Sequence, residues 1–187
     1  MDKKVKLRHR RELYSDPFLK VSEHTFDYQD DEYRYFIKEE PEFAVVGAVT
    51  EDNQIIMVRQ FRPGPRRFLM DLPGGMVDMG DSPAETARKE LREETGFEAD
   101  TMEYVTSSYP MAYSTAKKHI FIARGCRKAG SPDDEANMIA EPVLISFTKF
   151  AELVAKGDVL DLDAMLILAQ YLDLPIQFQR GVSAELP

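Results

Sequence analysis

One cysteine, Cys126, stands alone among 187 residues. That excludes an intrachain disulfide and a zinc site built from several cysteines. No run approaches the ~20 apolar residues that a membrane-spanning helix needs. The first eleven residues are charged and no apolar stretch follows them, so nothing reads as a secretory signal; the expected compartment is the cytoplasm, with no membrane partner. Internal repeats and low-complexity tracts are also lacking. What remains is an ordinary balance, 43% hydrophobic and 30% charged. The length suits one domain with a small appendage and a real core.

Positive charge is concentrated at one end. Residues 1–11 hold six Lys/Arg against Asp2, so the rest of the chain stands near −14 within a whole-chain charge of −9. A basic arm can bind nucleic acid, but this one is short and has no interleaved aromatics. It reads as a solvated or frayed terminus. The acidic body would repel a polyanion unless a metal intervened, so a nucleic-acid partner is not expected.

Periodicity lays out the remaining chain. Arg11–Tyr35 alternates loosely and predicts two or three short strands, broken at Asp16-Pro17 and at the acidic turn Asp30-Asp31-Glu32. This piece is too small to bury a core of its own and should pack on the rest or on a partner subunit. Tyr33, Tyr35 and Phe36 read as strand-face packing rather than as a platform for a nucleobase. Phe43–Thr50 is a nearly continuous apolar run, the mark of a buried strand, and Gln54–Gln60 returns after the turn Glu51-Asp52-Asn53. A basic loop, Arg62–Arg67, leads to a short strand at Phe68–Leu72. Strands follow at Thr101–Ser108, His119–Arg127 and Val143–Phe147, with helices at Thr148–Lys156 and Asp161–Leu172. Gly130–Asn137 is a polar, acidic loop. Such mixing of strands and helices predicts a mixed sheet between helices.

The stretch 74–97 organises the rest. Two glycines, Gly74 and Gly75, close a loop. Ser82 is a good N-cap, Pro83 suits the first helical position and Glu85 completes a capping box. Gly96 ends the helix. Glu90, Glu93 and Glu94 are spaced i, i+3, i+4, so their carboxylates share one helix face. Like charges at that spacing are mutually destabilising. A hard divalent cation would reverse the sign, since Mg²⁺ takes carboxylate oxygens and keeps waters for substrate phosphates. A solvated acidic face is the plain alternative for three such glutamates.

Read from Gly75, the stretch runs Gly-x5-Asp-x7-Lys-Glu-Leu-x-Glu-Glu-x-Gly-Phe and closely resembles the Nudix box. Gly75, Glu90, Leu91, Glu93, Glu94, Gly96 and Phe97 match the family pattern. Asp81 and Lys89 depart from it, replacing Glu and Arg with their charge kept. The resemblance implies an α/β/α sandwich with a mixed sheet, with the box at 75–97 inside a domain of residues 41–187. Val58-Arg59-Gln60-Phe61-Arg62, Leu72–Asp78 and the final helix look like the ADP-ribose and nucleoside-diphosphate-sugar pyrophosphatase branch. In that branch a segment like residues 1–40 builds a homodimer.

The implied reaction is hydrolysis of the diphosphate of ADP-ribose or another nucleoside-diphosphate sugar, to a nucleoside monophosphate and a sugar phosphate. By the same resemblance Gly74, Glu90, Glu93 and Glu94 hold Mg²⁺ (or Mn²⁺), Arg62 and Met76 contact substrate, and Glu93 and Glu94 belong to the catalytic set. Lys89 and Asp81 would orient the glutamates and compensate each other. As a residue, Arg62 could equally be an ordinary turn arginine. For the catalytic base, Glu135 in the acidic loop is the first candidate, with Asp134 and Glu141 behind it; the family's closely paired glutamates are not reproduced there. A Nudix enzyme for NADH, dinucleoside polyphosphates or capped RNA is one alternative, although Ser107–Ser114 lacks the tryptophan of the NADH-cleaving branch. A catalytically silent nucleotide-binding module is another, and the intact glutamate set argues against it.

Overall fold

The structure, a computed structural model, describes residues 4–17, 19–133 and 140–178. In chain order its elements are β1 (Lys6–Ser15), β2 (Lys20–Tyr28), β3 (Asp31–Glu39), β4 (Phe43–Thr50), β5 (Gln54–Arg62), β6 (Arg67–Asp71), β7 (Gly74–Met76), α1 (Pro83–Thr95), β8 (Phe97–Glu98), β9 (Thr101–Ser108), β10 (Lys118–Lys128), β11 (Ala140–Ser146), α2 (Phe147–Lys156) and α3 (Leu162–Tyr171). Most of the expected elements are present within a residue or two of their predicted bounds. Phe147 belongs to a helix rather than a strand, because Ser146 caps α2 by accepting from the Lys149 N–H.

Alternation explains the larger sheet. Successive strand residues point to opposite faces, and here both faces are covered. Val45, Ile55, Met57, Ile120 and Ile122 face Phe150 of α2 and Leu168 of α3. Their sequence neighbours Ala44, Val46, Ile56 and Phe121 face Ala87 and Leu91 of α1 on the other side. The result is an α/β/α sandwich with a mixed eight-stranded sheet. Its main path runs β11-β5-β4-β10-β8; β6 joins β5, β7 joins β4 and β9 joins β10. Only the β4–β10 pair is parallel among the described strand pairings. Among the described residues no helix is long and apolar enough to cross a membrane.

The N-terminal strands form a separate antiparallel sheet in the order β1-β2-β3. From Lys6 onward the basic arm is therefore ordered strand rather than a frayed end. It is strand β1, paired with β2 from Lys6↔Asp27 to Ser15↔Lys20. Charge explains the difference: Arg8 pairs with Asp27 and Glu32, each at 3.0 Å, and Arg11 with Glu23 at 3.3 Å. Those acids lie 12 to 24 residues away, out of reach of local periodicity. The small sheet meets the larger body at the loop before β10, where the Lys38 N–H donates to the Tyr113 carbonyl at 2.8 Å and the Thr115 N–H to the Lys38 carbonyl at 3.0 Å.

Candidate active site at the start and end of the acidic helix

Helix α1 begins as its punctuation predicts. The Ser82 hydroxyl accepts from the Glu85 N–H, and the Glu85 carboxylate accepts from the Ser82 N–H at 2.8 Å. Gly96 closes the helix with φ +69°, a left-handed conformation that glycine adopts without strain. Ala87 and Leu91 bury one face against the sheet, which turns Glu90 and Glu94 toward the short strand β7.

Strand β7 exists to bring backbone close to those carboxylates. A Cβ at Gly75 would meet the Glu90 carboxylate and push that side chain aside, whereas one at Gly74 would strike the Ala44 carbonyl of β4. The Gly74 N–H donates to Glu94 Oε2 at 3.0 Å. Both acids are withdrawn from solvent without a full set of compensating charges. Burial pushes Glu94 up to about 7, helped by Glu90 and Asp71 and resisted by the Gly74 N–H and Arg62. Glu90 is raised as well, first by burial and then by Glu93.

This arrangement fits a hard divalent cation. Two half-buried carboxylates four residues apart repel each other and drift toward protonation, and a dication would restore their charge. Among the described residues no three acidic, histidine or cysteine side chains already converge on one point. A cation on Glu90 and Glu94 would therefore complete its shell from the Gly74 carbonyl, Glu93 and water, which suits Mg²⁺ and its reluctance to shed water.

Arg62 lies within electrostatic reach of Glu94, though not as a turn arginine pointing outward. Its guanidinium is bound through Nη2 to Oδ2 of Asp71, and it lowers the proton affinity of Glu94. Asp71 is the functional candidate that sequence reasoning missed. It is 3% exposed on β6, its Oδ1 accepts from the Leu72 N–H at 2.9 Å, and burial together with Asp161 pushes it up to about 6. The available signal was a lone acid in the apolar strand just ahead of Leu72-Pro73-Gly74. Behind it, the buried Lys118 ammonium donates to Asp161 at 2.9 Å and to Asp163 at 2.6 Å.

Other expectations fare unevenly. Lys89 donates to Asp78 at 3.0 Å, not to Asp81, which acts on it only weakly and from a distance. The short loop after β7 carries Asp78 back over the helix, a path that helical spacing could not reveal. Met76 is exposed on β7 opposite Phe43 of β4. Glu135 and Asp134 lie outside the described residues. The chain just before them is tied to the helix, since the Asp133 N–H donates to the Glu93 carbonyl at 2.8 Å. Glu141, exposed on β11, is paired with Arg59 at 2.9 Å. Tyr33, Tyr35 and Phe36 are exposed rather than packed beneath the sheet, and Tyr35 stacks on Tyr113 at 5.9 Å.

Comparison with known proteins agrees with this fold. The profile of the NUDIX domain matches residues 38–162. Over 139 residues, 72% of this chain and 73% of the relative, the sequence is 29% identical to a methanol dehydrogenase activator of Bacillus methanolicus. Over 88 residues it is 36% identical to an ADP-ribose pyrophosphatase of Bacillus subtilis strain 168, covering 46% of this chain and 48% of that protein. The match thus spans about half the length of the second relative. A crystal structure of an ADP compounds hydrolase superposes with a TM-score of 0.78 at 19% identity, over 91% of this chain and 95% of the other, so the two share a fold. A profile match over more than half of the chain, spanning the glutamate-bearing helix, shows that this protein belongs to the NUDIX family.

Proposed function

We propose that the chain hydrolyses the diphosphate of ADP-ribose or a related nucleoside-diphosphate sugar, using Mg²⁺ or Mn²⁺ and releasing a nucleoside monophosphate and a sugar phosphate. The observation that carries this reading is the pair Glu90 and Glu94, withdrawn from solvent and aimed at Gly74 and Gly75. Glu90, Glu94, the Gly74 carbonyl and Glu93 would hold the cation. When bound, it supplies charge neutralisation to the phosphoryl oxygens. Arg62 adds a charge-assisted contact to a phosphate, and Met76 offers apolar surface beside it. Water enters at one phosphorus and the P–O–P bridge breaks, so the bridging oxygen leaves with the other phosphate. A carboxylate takes the proton of that water; Glu135 remains the first candidate for this step.

Dimerisation belongs to the same reading. Residues 1–40 act as the dimer-forming segment, because Leu7, Leu13, Tyr33 and Phe36 are exposed on a sheet that no helix covers among the described residues. A second reading, modulation of a partner protein, is favoured by the likeness to the methanol dehydrogenase activator. The experiment is release of phosphate from a panel of nucleotide sugars, NADH and dinucleoside polyphosphates, coupled to a phosphatase, with Mg²⁺ and with EDTA. The reading expects ADP-ribose or a nucleotide sugar to be cleaved only with the metal. Undiminished turnover in EDTA would sink it, and no turnover of any substrate would favour the partner role.

A further inference from the structure

We infer that Asp71 is a positioning residue: it holds the Arg62 guanidinium beside Glu94, so that the arginine meets the substrate diphosphate already oriented. The inference rests on the hydrolytic reading above and adds a residue that the box motif does not contain. The geometry is unusual for a hairpin. Arg62 sits opposite Arg67, whereas Asp71 sits opposite Val58, four residues back along β5. At about 3.3 Å per residue, the Arg62 side chain has to run back along the hairpin to reach its partner. A solvent-seeking arginine near a loop of Pro63-Gly64-Pro65 would point the other way.

Hydrogen bonding says the same. Both Asp71 oxygens are used, one by Arg62 and one by the Leu72 N–H. Arg62 Nε, in contrast, is buried with no hydrogen-bond partner among the described residues. A buried unsatisfied donor is costly, and a guanidinium free to rotate would turn Nε to water. What opposes that rotation is the ion pair with a carboxylate that is itself 3% exposed. Lys118 engages Asp161 and Asp163 on the far side, so Asp71 has Arg62 as its ion-pair partner. The arginine is thus fixed by charge in a pose that its own donors do not favour. Such preorganisation matters for a group that must meet a phosphate, because orientation is settled before substrate arrives.

The test is a double-mutant cycle on the full chain with Mg²⁺ and ADP-ribose: Asp71→Asn, Arg62→Ala and the pair, each with kcat, KM and a melting temperature. Each single change should lower kcat/KM about 10- to 100-fold, mainly through KM, and the double variant should be no worse than Arg62→Ala within about twofold. Losses that multiply, or Asp71→Asn near wild type while Arg62→Ala is impaired, overturn the inference and leave the hydrolytic reading standing. If the wild-type chain turns over no nucleotide sugar, that reading fails and the inference falls with it. Should Asp71→Asn not fold, Asp71→Glu serves instead, since it keeps the charge but moves the carboxylate that holds Arg62 by one methylene. A KM raised tenfold or more at an unchanged melting temperature supports the inference, and a wild-type KM overturns it.

Discussion

The two sheets of this protein are made from strands of similar length and opposite surroundings. In β4, seven of eight residues are buried; in β1, all ten are exposed. The larger sheet has helices on both faces and derives its stability from apolar burial. The smaller one is stitched by cross-strand ion pairs such as Arg10 with Glu39 and Arg8 with Asp27. Exposed pairs of that kind contribute at most about 1 kcal/mol each, and three strands that no helix covers among the described residues are marginal in water. The difference teaches where each region's cover comes from. The catalytic body carries its own, and in our proposal the N-terminal sheet takes its cover from a second copy.

Deleting residues 1–35 should break this comparison most severely. Loss of β1, β2 and half of β3 would abolish the dimer and leave an aggregate or an inactive monomer, measured by sedimentation and turnover. A soluble, active monomer would rule out the dimer-forming role. Single substitutions sharpen the contrast. Phe150→Ala, at a fully buried position between α2 and the sheet, should cost about 3–5 kcal/mol in denaturant unfolding. Phe36→Ala, at 63% exposure, should cost under about 0.5 kcal/mol in dilute monomer while weakening association. Equal losses at the two positions would show that the small sheet is covered within one chain.

The acidity of the site gives an effect of middle size. Glu94 is raised from 4.5 to about 7 and Glu90 is raised in the same direction. A folded state that holds protons more tightly than the unfolded chain loses stability as pH rises through that interval. Metal-free protein should therefore melt at lower temperature at pH 7.5 than at pH 5, by up to about 3 kcal/mol for Glu94 alone. Added Mg²⁺ should restore more at the higher pH, because its ligands must be deprotonated. A metal-induced shift that is larger at pH 5 would contradict this. Smallest of all, Arg10→Gln in the N-terminal sheet should cost a few tenths of a kcal/mol, and the loss should vanish in 1 M salt.

How much of this was legible depended on distance along the chain. The cap at Ser82, the stop at Gly96 and the spacing of Glu90, Glu93 and Glu94 are local, and each stands where its neighbours dictated. The apolar runs of β4, β5 and β10 were equally readable, because both faces of those strands are covered. The two-residue β8 and three-residue β7 are too short for any period to register. The Asp71–Arg62 pair and the Lys118–Asp161–Asp163 cluster join residues from different elements, with nothing in their spacing to announce them. Lys89 shows the same limit: the family resemblance suggested Asp81, and the loop delivered Asp78.

The central claim is that Glu90 and Glu94 are buried together because they hold a cation for hydrolysis. The most direct measurement is the rate of ADP-ribose hydrolysis by Glu94→Gln with saturating Mg²⁺, alongside its melting curve without metal. Glutamine is isosteric and removes the charge, so the account predicts a kcat at least about 100-fold below wild type and a melting temperature at pH 7.5 equal to or above it. Near-full kcat in a folded Glu94→Gln protein would contradict the account.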